Sequence, residues 1–268
     1  MRKQKMEMQP VTDGAGITGS RRALRAVLLP LLSLLLLSAC AHRNPLAQWE
    51  RSPNFDTRRP VAVVLHYTAG QTAADSLRTL QTANSNGPVS AHYLLGKDGT
   101  LYQLVDERKR AWHAGGGRWG TLTDLNSTSI GIEIDIDGRS PYPEVQIERL
   151  IVLLEDVTRR LGIPRHQVIG HSDLAPGRKV DPGPLFPWKR LYDAGFGIWP
   201  AADAGDPPAQ FDGWLAMAAL GYPLDNRGHA LQAFRHRFRG IDRQGADFDA
   251  EDLRILYALT RPLLGTAD

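Results

Sequence analysis

Apolar and polar residues alternate along 130–136: Ile130, Ile132, Ile134 and Ile136 share one parity, Glu133 and Asp135 the other. Successive side chains of a strand point to opposite faces. The pattern predicts a strand with one buried face and two carboxylates on the other. Val61-Ala62-Val63-Val64-Leu65 is apolar without alternation and rich in β-branched residues. That is the signature of a strand buried on both faces, and it ends in His66-Tyr67-Thr68-Ala69-Gly70. Gln167-Val168-Ile169-Gly170 is a shorter strand that runs into His171. His92-Tyr93-Leu94-Leu95 and Leu101-Tyr102-Gln103-Leu104 flank Lys97-Asp98-Gly99. Asp-Gly between two apolar runs predicts a hairpin.

Helical spacing appears over 72–83 and 144–161, the latter with Ile147, Leu150, Leu154 and Val157 on one stripe and Gly162 and Pro164 as its stop. Trp188 to Tyr192 predicts a short helix. Three further helical patterns occupy about 209–220, 229–239 and 249–261, with Asp249 as an N-cap. Residues 111–120 hold four glycines among aromatics and read as a surface loop. The expected fold is α/β: a central mixed β-sheet flanked by helices on both faces, then a small three-helix C-terminal domain. Its boundaries are 60–200 for the sheet domain, 201–208 for a linker and 209–262 for the helices. The alternative for those helices is a cap packed on the sheet domain.

Composition changes the picture mainly at the N-terminus. Residues 1–39 carry six basic and two acidic groups, so the formal charge of +3 becomes −1 without them. A near-neutral remainder gives no support for nucleic-acid binding. Arg21-Arg22-Ala23-Leu24-Arg25 precedes an apolar run from Ala26 to Leu37. A basic start and an apolar run of this length describe an export signal over 1–39, too short for a membrane span of about 20 residues. The only cysteine, Cys40, follows Leu37-Ser38-Ala39. This resembles the lipobox of bacterial lipoproteins, in which the cysteine becomes the lipid-carrying N-terminus. The alternative is a plain secretory signal with an incidental cysteine. Ala41 stands where an inner-membrane retention signal would show Asp, which favours the periplasmic face of the outer membrane. Residues 40–59 then read as the lipidated N-terminus followed by a tether or an extended entry segment.

The candidate chemistry lies at strand ends. His66 ends one strand and His171 begins the loop after another, and Asp181 follows His171 by ten residues across Pro176, Gly177 and Lys179. Two imidazoles and a carboxylate suit a hydrolytic zinc, which takes three protein ligands and leaves one position open. Glu133, flanked by isoleucines, is costly to bury unless paired or used, and it is the candidate general base. Lys179 is the candidate to stabilise an oxyanion. Each residue has an ordinary alternative: a strand-end histidine, a salt-bridged glutamate, a solvated loop lysine. Their joint order, strand-His, strand-Glu, strand-His, loop Lys-x-Asp, is what makes a site.

Residues 60–188 resemble the zinc-dependent N-acetylmuramoyl-L-alanine amidase family, whose fold is shared with phage T7-type lysozymes and peptidoglycan recognition proteins. The matching pieces are Val64-Leu65-His66-Tyr67-Thr68, Ser90-Ala91-His92-Tyr93-Leu94-Leu95, Ala111-Trp112-His113-Ala114-Gly115, Ile130-Gly131-Ile132-Glu133 and Ile169-Gly170-His171-Ser172-Asp173 with Lys179-Val180-Asp181-Pro182-Gly183. The resemblance implies one Zn²⁺ on His66, His171 and Asp181, with Glu133 and Lys179 as the catalytic pair. It implies cleavage of the amide between N-acetylmuramic acid and L-alanine in peptidoglycan or muropeptides. Phage-type members carry a tyrosine where this chain has Ala91, which leaves Glu133 as the base. The lipobox and C-terminal helices resemble the outer-membrane-anchored branch, and residues 209–261 resemble a peptidoglycan-binding module. Trp112, His113, Arg118 and Trp119 are candidates to line the substrate groove. His92 reads as structural, and a monomer is expected. The rival functions are a non-catalytic peptidoglycan-binding protein and a zinc peptidase cutting within the stem peptide.

Overall fold

The computed structural model describes residues 44–57, 60–84 and 87–264. The expected export signal over 1–39 and the expected lipidation site Cys40 lie outside the described residues. No helix among the described residues is long and apolar enough to cross a membrane.

The strands are β1 (Gln48–Trp49), β2 (Phe55–Thr57), β3 (Ala62–Tyr67), β4 (Ala83–Asn84), β5 (Gly87–Pro88), β6 (Tyr93–Leu95), β7 (Leu101–Gln103), β8 (Lys109–Ala111), β9 (Ser129–Ile134) and β10 (Val168–Gly170). Six of them form one mixed sheet in the order β1-β7-β6-β9-β3-β10. Only the β6–β7 pair is antiparallel. It is the hairpin predicted around Lys97-Asp98-Gly99: Leu95 faces Leu101, Asp98 accepts from the Thr100 N–H at 2.9 Å, and Gly99 sits at φ 82°. The other strands run parallel because helices or long loops carry the chain back between them.

The sheet is covered on both faces. Val63, Leu65, Ile130, Ile132 and Ile134 pack on one side against Ile147, Leu150, Leu154 and Val157 of the helix Glu144–Leu161. Those helix residues recur at three- and four-residue spacing, and Gly162 ends the helix at φ 66°. On the other side Val64 and Ile169 pack with Leu174 against the C-terminal helices Gly213–Leu220, Arg227–Arg239 and Ala250–Thr260. Asp249 caps the last of these, accepting from the Asp252 N–H at 2.9 Å.

Three expectations change. The C-terminal helices do not enclose a core of their own. Met217, Leu231, Phe234 and Leu256 share one apolar cluster with Val64, Ile169 and Leu174 of the sheet side. A buried polar clamp adds to it. Arg237 donates to Asp173 at 2.6 Å and to the Val168 carbonyl at 3.1 Å, and Tyr222 donates to Asp173 at 2.8 Å. Both charged side chains are 2% exposed or less. Breaking a pair buried this deeply costs about 3–5 kcal/mol, because the surviving charge has no solvent. The apolar stripes of three short helices are too small to close on themselves, so they close on the sheet.

Second, residues 44–57 are not part of a free tether. Asn44 is 3% exposed; its N–H donates to Gln103 and its Nδ2 to Asp156, each at 2.8 Å. Its polar character suits internal partners rather than solvent. Third, 111–120 is not a surface loop throughout. Ala111 and Ala114 are fully buried, and His113 and Trp119 nearly so. Glycine makes this possible: a β-carbon at Gly117 would stand 2.6 Å from the Leu174 carbonyl oxygen.

Candidate active site

The register of three parallel strands places the first residues. Leu65 faces Gly170 across β3–β10, and His66 faces Glu133 across β3–β9. His171 is one step past Gly170 and therefore level with His66. Matched positions in neighbouring strands share a face. That face is the one bearing Val64, opposite the Ile130–Ile132–Ile134 core. The three side chains thus leave the sheet together at the carboxyl ends of the strands, where open α/β sheets bind ligands.

The loop after β10 returns Asp181 to them. Ser172 N–H donates to the Asp181 carbonyl at 2.8 Å, and Lys179 N–H to the Ala175 carbonyl at 3.0 Å. Gly177 makes the bend at φ 80°, against the His229 ring, where a β-carbon would collide.

His66 Nδ1, His171 Nδ1 and Asp181 Oδ2 form a closed triangle. The edges are 2.9 Å between the two nitrogens, 3.1 Å from His66 to Asp181 and 3.0 Å from His171 to Asp181. All three residues are buried. Ligand atoms around a four-coordinate zinc lie roughly 3.3 Å apart, given bonds of about 2.0 Å. The observed triangle is slightly tighter than that. Two imidazole nitrogens turned towards each other as well as towards a carboxylate suit a shared cation better than a hydrogen-bond set. The three residues could hold a metal ion.

Electrostatics agree. Burial, then the neighbouring His171, lowers the His66 pKa to about 4, which keeps it in the neutral form that can ligate. Burial alone would raise Asp181. Hydrogen bonds from His171 and His66 outweigh it and hold the carboxyl well below the usual carboxylate range. Glu133 goes the other way. Burial, and after it the charge of Asp181, push it well above an ordinary glutamate, against a smaller opposing pull from Lys179. Its Oε2 is buried and meets no hydrogen-bond partner among the described residues. A carboxylate left so is poised for proton transfer.

A cavity of about 530 Å³ opens over this group, lined by His66, Trp112, His113, Glu133, Lys179 and Asp181 among others. The structure thus brings together all five residues read as ligands or catalysts. Of the four expected to line the groove, it brings two. Trp119 is 8% exposed and packs edge-on to Tyr222 at 5.1 Å, because Gly120 N–H bonds to the Gly221 carbonyl and tucks the indole into the core. Arg118 pairs with Asp225 at 3.1 Å and lines a separate cavity of about 420 Å³. His113 borders the main cavity, but its ring nitrogens face His66 at 3.0 Å and Ser129 at 3.5 Å. His92 is committed to backbone, with Nδ1 accepting from Gly131 and Nε2 donating to Lys109. Arg178, which sequence reasoning passed over, lines the main cavity and donates to the carbonyls of Ala114 and Gly116. Its only sequence signal was its place beside Lys179.

Known proteins match this chain over the same elements. The family described as N-acetylmuramoyl-L-alanine amidase matches residues 56–184. The N-acetylmuramoyl-L-alanine amidase AmiD of Escherichia coli K12 is 39% identical over 267 aligned residues, 84% of this chain and 94% of that protein. Its solved complex with anhydro-N-acetylmuramic acid-L-Ala-D-γ-Glu-L-Lys superposes with a TM-score of 0.67 at 35% identity, covering 77% of this chain and 90% of the other. AmpDh3 of Pseudomonas aeruginosa, in complex with an anhydromuramic pentapeptide, gives 0.68 at 35% identity, with 77% and 93% covered. With the strand-end histidines, the returning aspartate and a full-length relative in agreement, the chain belongs to the N-acetylmuramoyl-L-alanine amidase family.

Proposed function

We propose that this amidase uses one Zn²⁺, held by His66, His171 and Asp181, to release stem peptides from muramic acid in anhydro-muropeptides and peptidoglycan during cell-wall turnover. The observation that carries the reading is the pairing of His66 with Glu133 across β3–β9 beside the His66–His171–Asp181 triangle. The anhydromuramyl peptides bound to the two related amidases support the substrate class.

Two neutral imidazoles and one carboxylate would leave the loaded site with net charge +1. Zinc in such a site supplies Lewis-acid polarisation of a carbonyl and lowers the pKa of water. Glu133 takes the proton of the attacking water as the C–O bond forms at the lactyl carbonyl. It then delivers that proton to the L-alanine nitrogen as the C–N bond breaks, so the amine leaves neutral. Lys179, on the exposed rim, offsets the negative charge that builds on the carbonyl oxygen. Trp112 offers its ring face to a sugar.

The digest tests the bond. Incubation with sacculi and with anhydro-muropeptides should release intact peptides beginning at L-Ala, read by mass spectrometry. Shortened peptides still attached to muramic acid would instead identify a peptidase, and no release from either substrate would leave a binding protein.

The anchor is part of the same proposal. Cleavage before Cys40 and lipidation of it would hold the enzyme, as a monomer, at the periplasmic face of the outer membrane. Cys40→Ser should move the protein from the membrane to the soluble fraction; a variant that stays with the membrane removes the lipid anchor from the account.

A further inference from the structure

The proposed zinc site has two histidine ligands, and both ring nitrogens that point away from the triangle end on one segment, His113-Ala114. His171 Nε2 lies 2.9 Å from the Ala114 carbonyl, which can only accept, so Nε2 donates there and Nδ1 is the atom turned to the cation position; Arg178 Nη2, 3.5 Å from the same nitrogen, donates to the Ala114 carbonyl as well. His66 Nε2 lies 3.0 Å from His113 Nδ1, and that pair alone does not say which ring donates.

The next contacts decide it. The Ser129 hydroxyl donates to the Leu125 carbonyl at 2.5 Å. A carbonyl offers no hydrogen in return, so the hydroxyl proton is committed there. Ser129 Oγ, 3.5 Å from His113 Nε2, is then an acceptor on that side. His113 accordingly carries its proton on Nε2 and accepts at Nδ1. With a cation on Nδ1, His66 donates from Nε2 to His113. The chain of donors runs in one direction, from His66 through His113 and Ser129 to the Leu125 carbonyl.

The segment itself is fixed. Asn126 Oδ1 accepts from both the His113 N–H at 2.9 Å and the Ala114 N–H at 2.8 Å. The His113 ring lies flat over Gly131 of β9, where a β-carbon would overlap it. Strand β9 therefore needs glycine at the position between Ser129, which ends the relay, and Glu133.

We infer that His113 is a positioning residue that sets the tautomer of His66, and that the His113-Ala114 segment pinned by Asn126 orients both histidine ligands. Its role is towards the metal rather than the sugar or peptide. Outer partners of metal-bound histidines typically contribute 10–100-fold in metal affinity. The inference rests on the zinc reading of the site, and the measurements below separate the two.

His113→Phe keeps the ring and loses the acceptor. His113→Asn restores an acceptor oxygen where Nδ1 lies. Competition with a chromogenic chelator should show zinc bound roughly 10–100-fold more weakly by His113→Phe and within about threefold of the unaltered protein by His113→Asn. Equal affinity in all three proteins overturns the inference while leaving the zinc site in place. Equal weakening of both variants also overturns it, since ring packing would then be the cause. No zinc binding by the unaltered protein would instead sink the zinc reading.

Discussion

Glu133→Gln is expected to leave the protein folded and able to bind zinc while lowering peptide release by roughly 10²–10⁴-fold, the usual contribution of a positioned acid–base group. Glutamine matches the shape of the carboxyl but cannot take a proton. The same substitution should stabilise the metal-free protein. Burial raises the folded-state pKa of Glu133 above its ordinary value near 4.5, and Oε2 lacks a partner among the described residues. The sign follows from proton linkage. Below the unfolded-state pKa both states are protonated and the residue costs little. As pH rises through the raised folded-state pKa, the native state must hold a buried charge and loses stability. The glutamine variant escapes that loss. Its advantage should be absent near pH 4 and reach about 1–3 kcal/mol on the alkaline side. Denaturant melts of both metal-free proteins across pH read it directly. A glutamine variant that is inactive yet no more stable at pH 8 would mean that Glu133 is better solvated than its surroundings imply, and a fully active one would remove it as the base.

The second large effect concerns the triangle. Chelation should reduce peptide release to background, and added Zn²⁺ should restore it. His171→Ala should have the same low activity with no recovery on adding metal, because two ligands from β3 and the loop do not close a four-coordinate site. Binding to the native state alone also predicts a stability readout. At a free zinc concentration 1,000 times Kd the unaltered protein should gain about 4 kcal/mol. His171→Ala should show almost none of that gain in a thermal melt. Release that survives both chelation and His171→Ala would rule out the metal mechanism, whatever the fold.

Much of the site was readable before the structure because its residues sit at the ends of strongly patterned strands. The alternation of Ile130, Ile132 and Ile134 put Glu133 on the opposite face, where it stands. The apolar runs into His66 and His171 marked both as strand-end residues, and parallel register then made them neighbours. The glycine-rich stretch misled for a physical reason. Composition says that 111–120 cannot be regular, but not whether it is solvated or packed. Trp119 went to the core and the His113 ring to His66 because glycines let backbone and rings approach at van der Waals distance. Ser129 and Asn126 had no signal at all, and Arg178 only its place beside Lys179. Each acts through a hydrogen bond to backbone or ring atoms distant in sequence, which no local spacing reveals.

Local pattern alone determined the mixed sheet with helices on both faces, the hairpin at Asp98-Gly99, and the order of His66, Glu133, His171, Lys179 and Asp181. Periodicity is a property of neighbouring residues and survives in any one-dimensional record. Tertiary structure alone decided that the C-terminal helices share the sheet's core and clamp Asp173 beside the loop that carries Asp181, and that His113, on the cavity wall, turns its ring nitrogens to His66 and Ser129. Both outcomes depend on which surfaces and hydrogen-bonding atoms meet once the chain is closed, and that is set by packing between segments far apart in sequence.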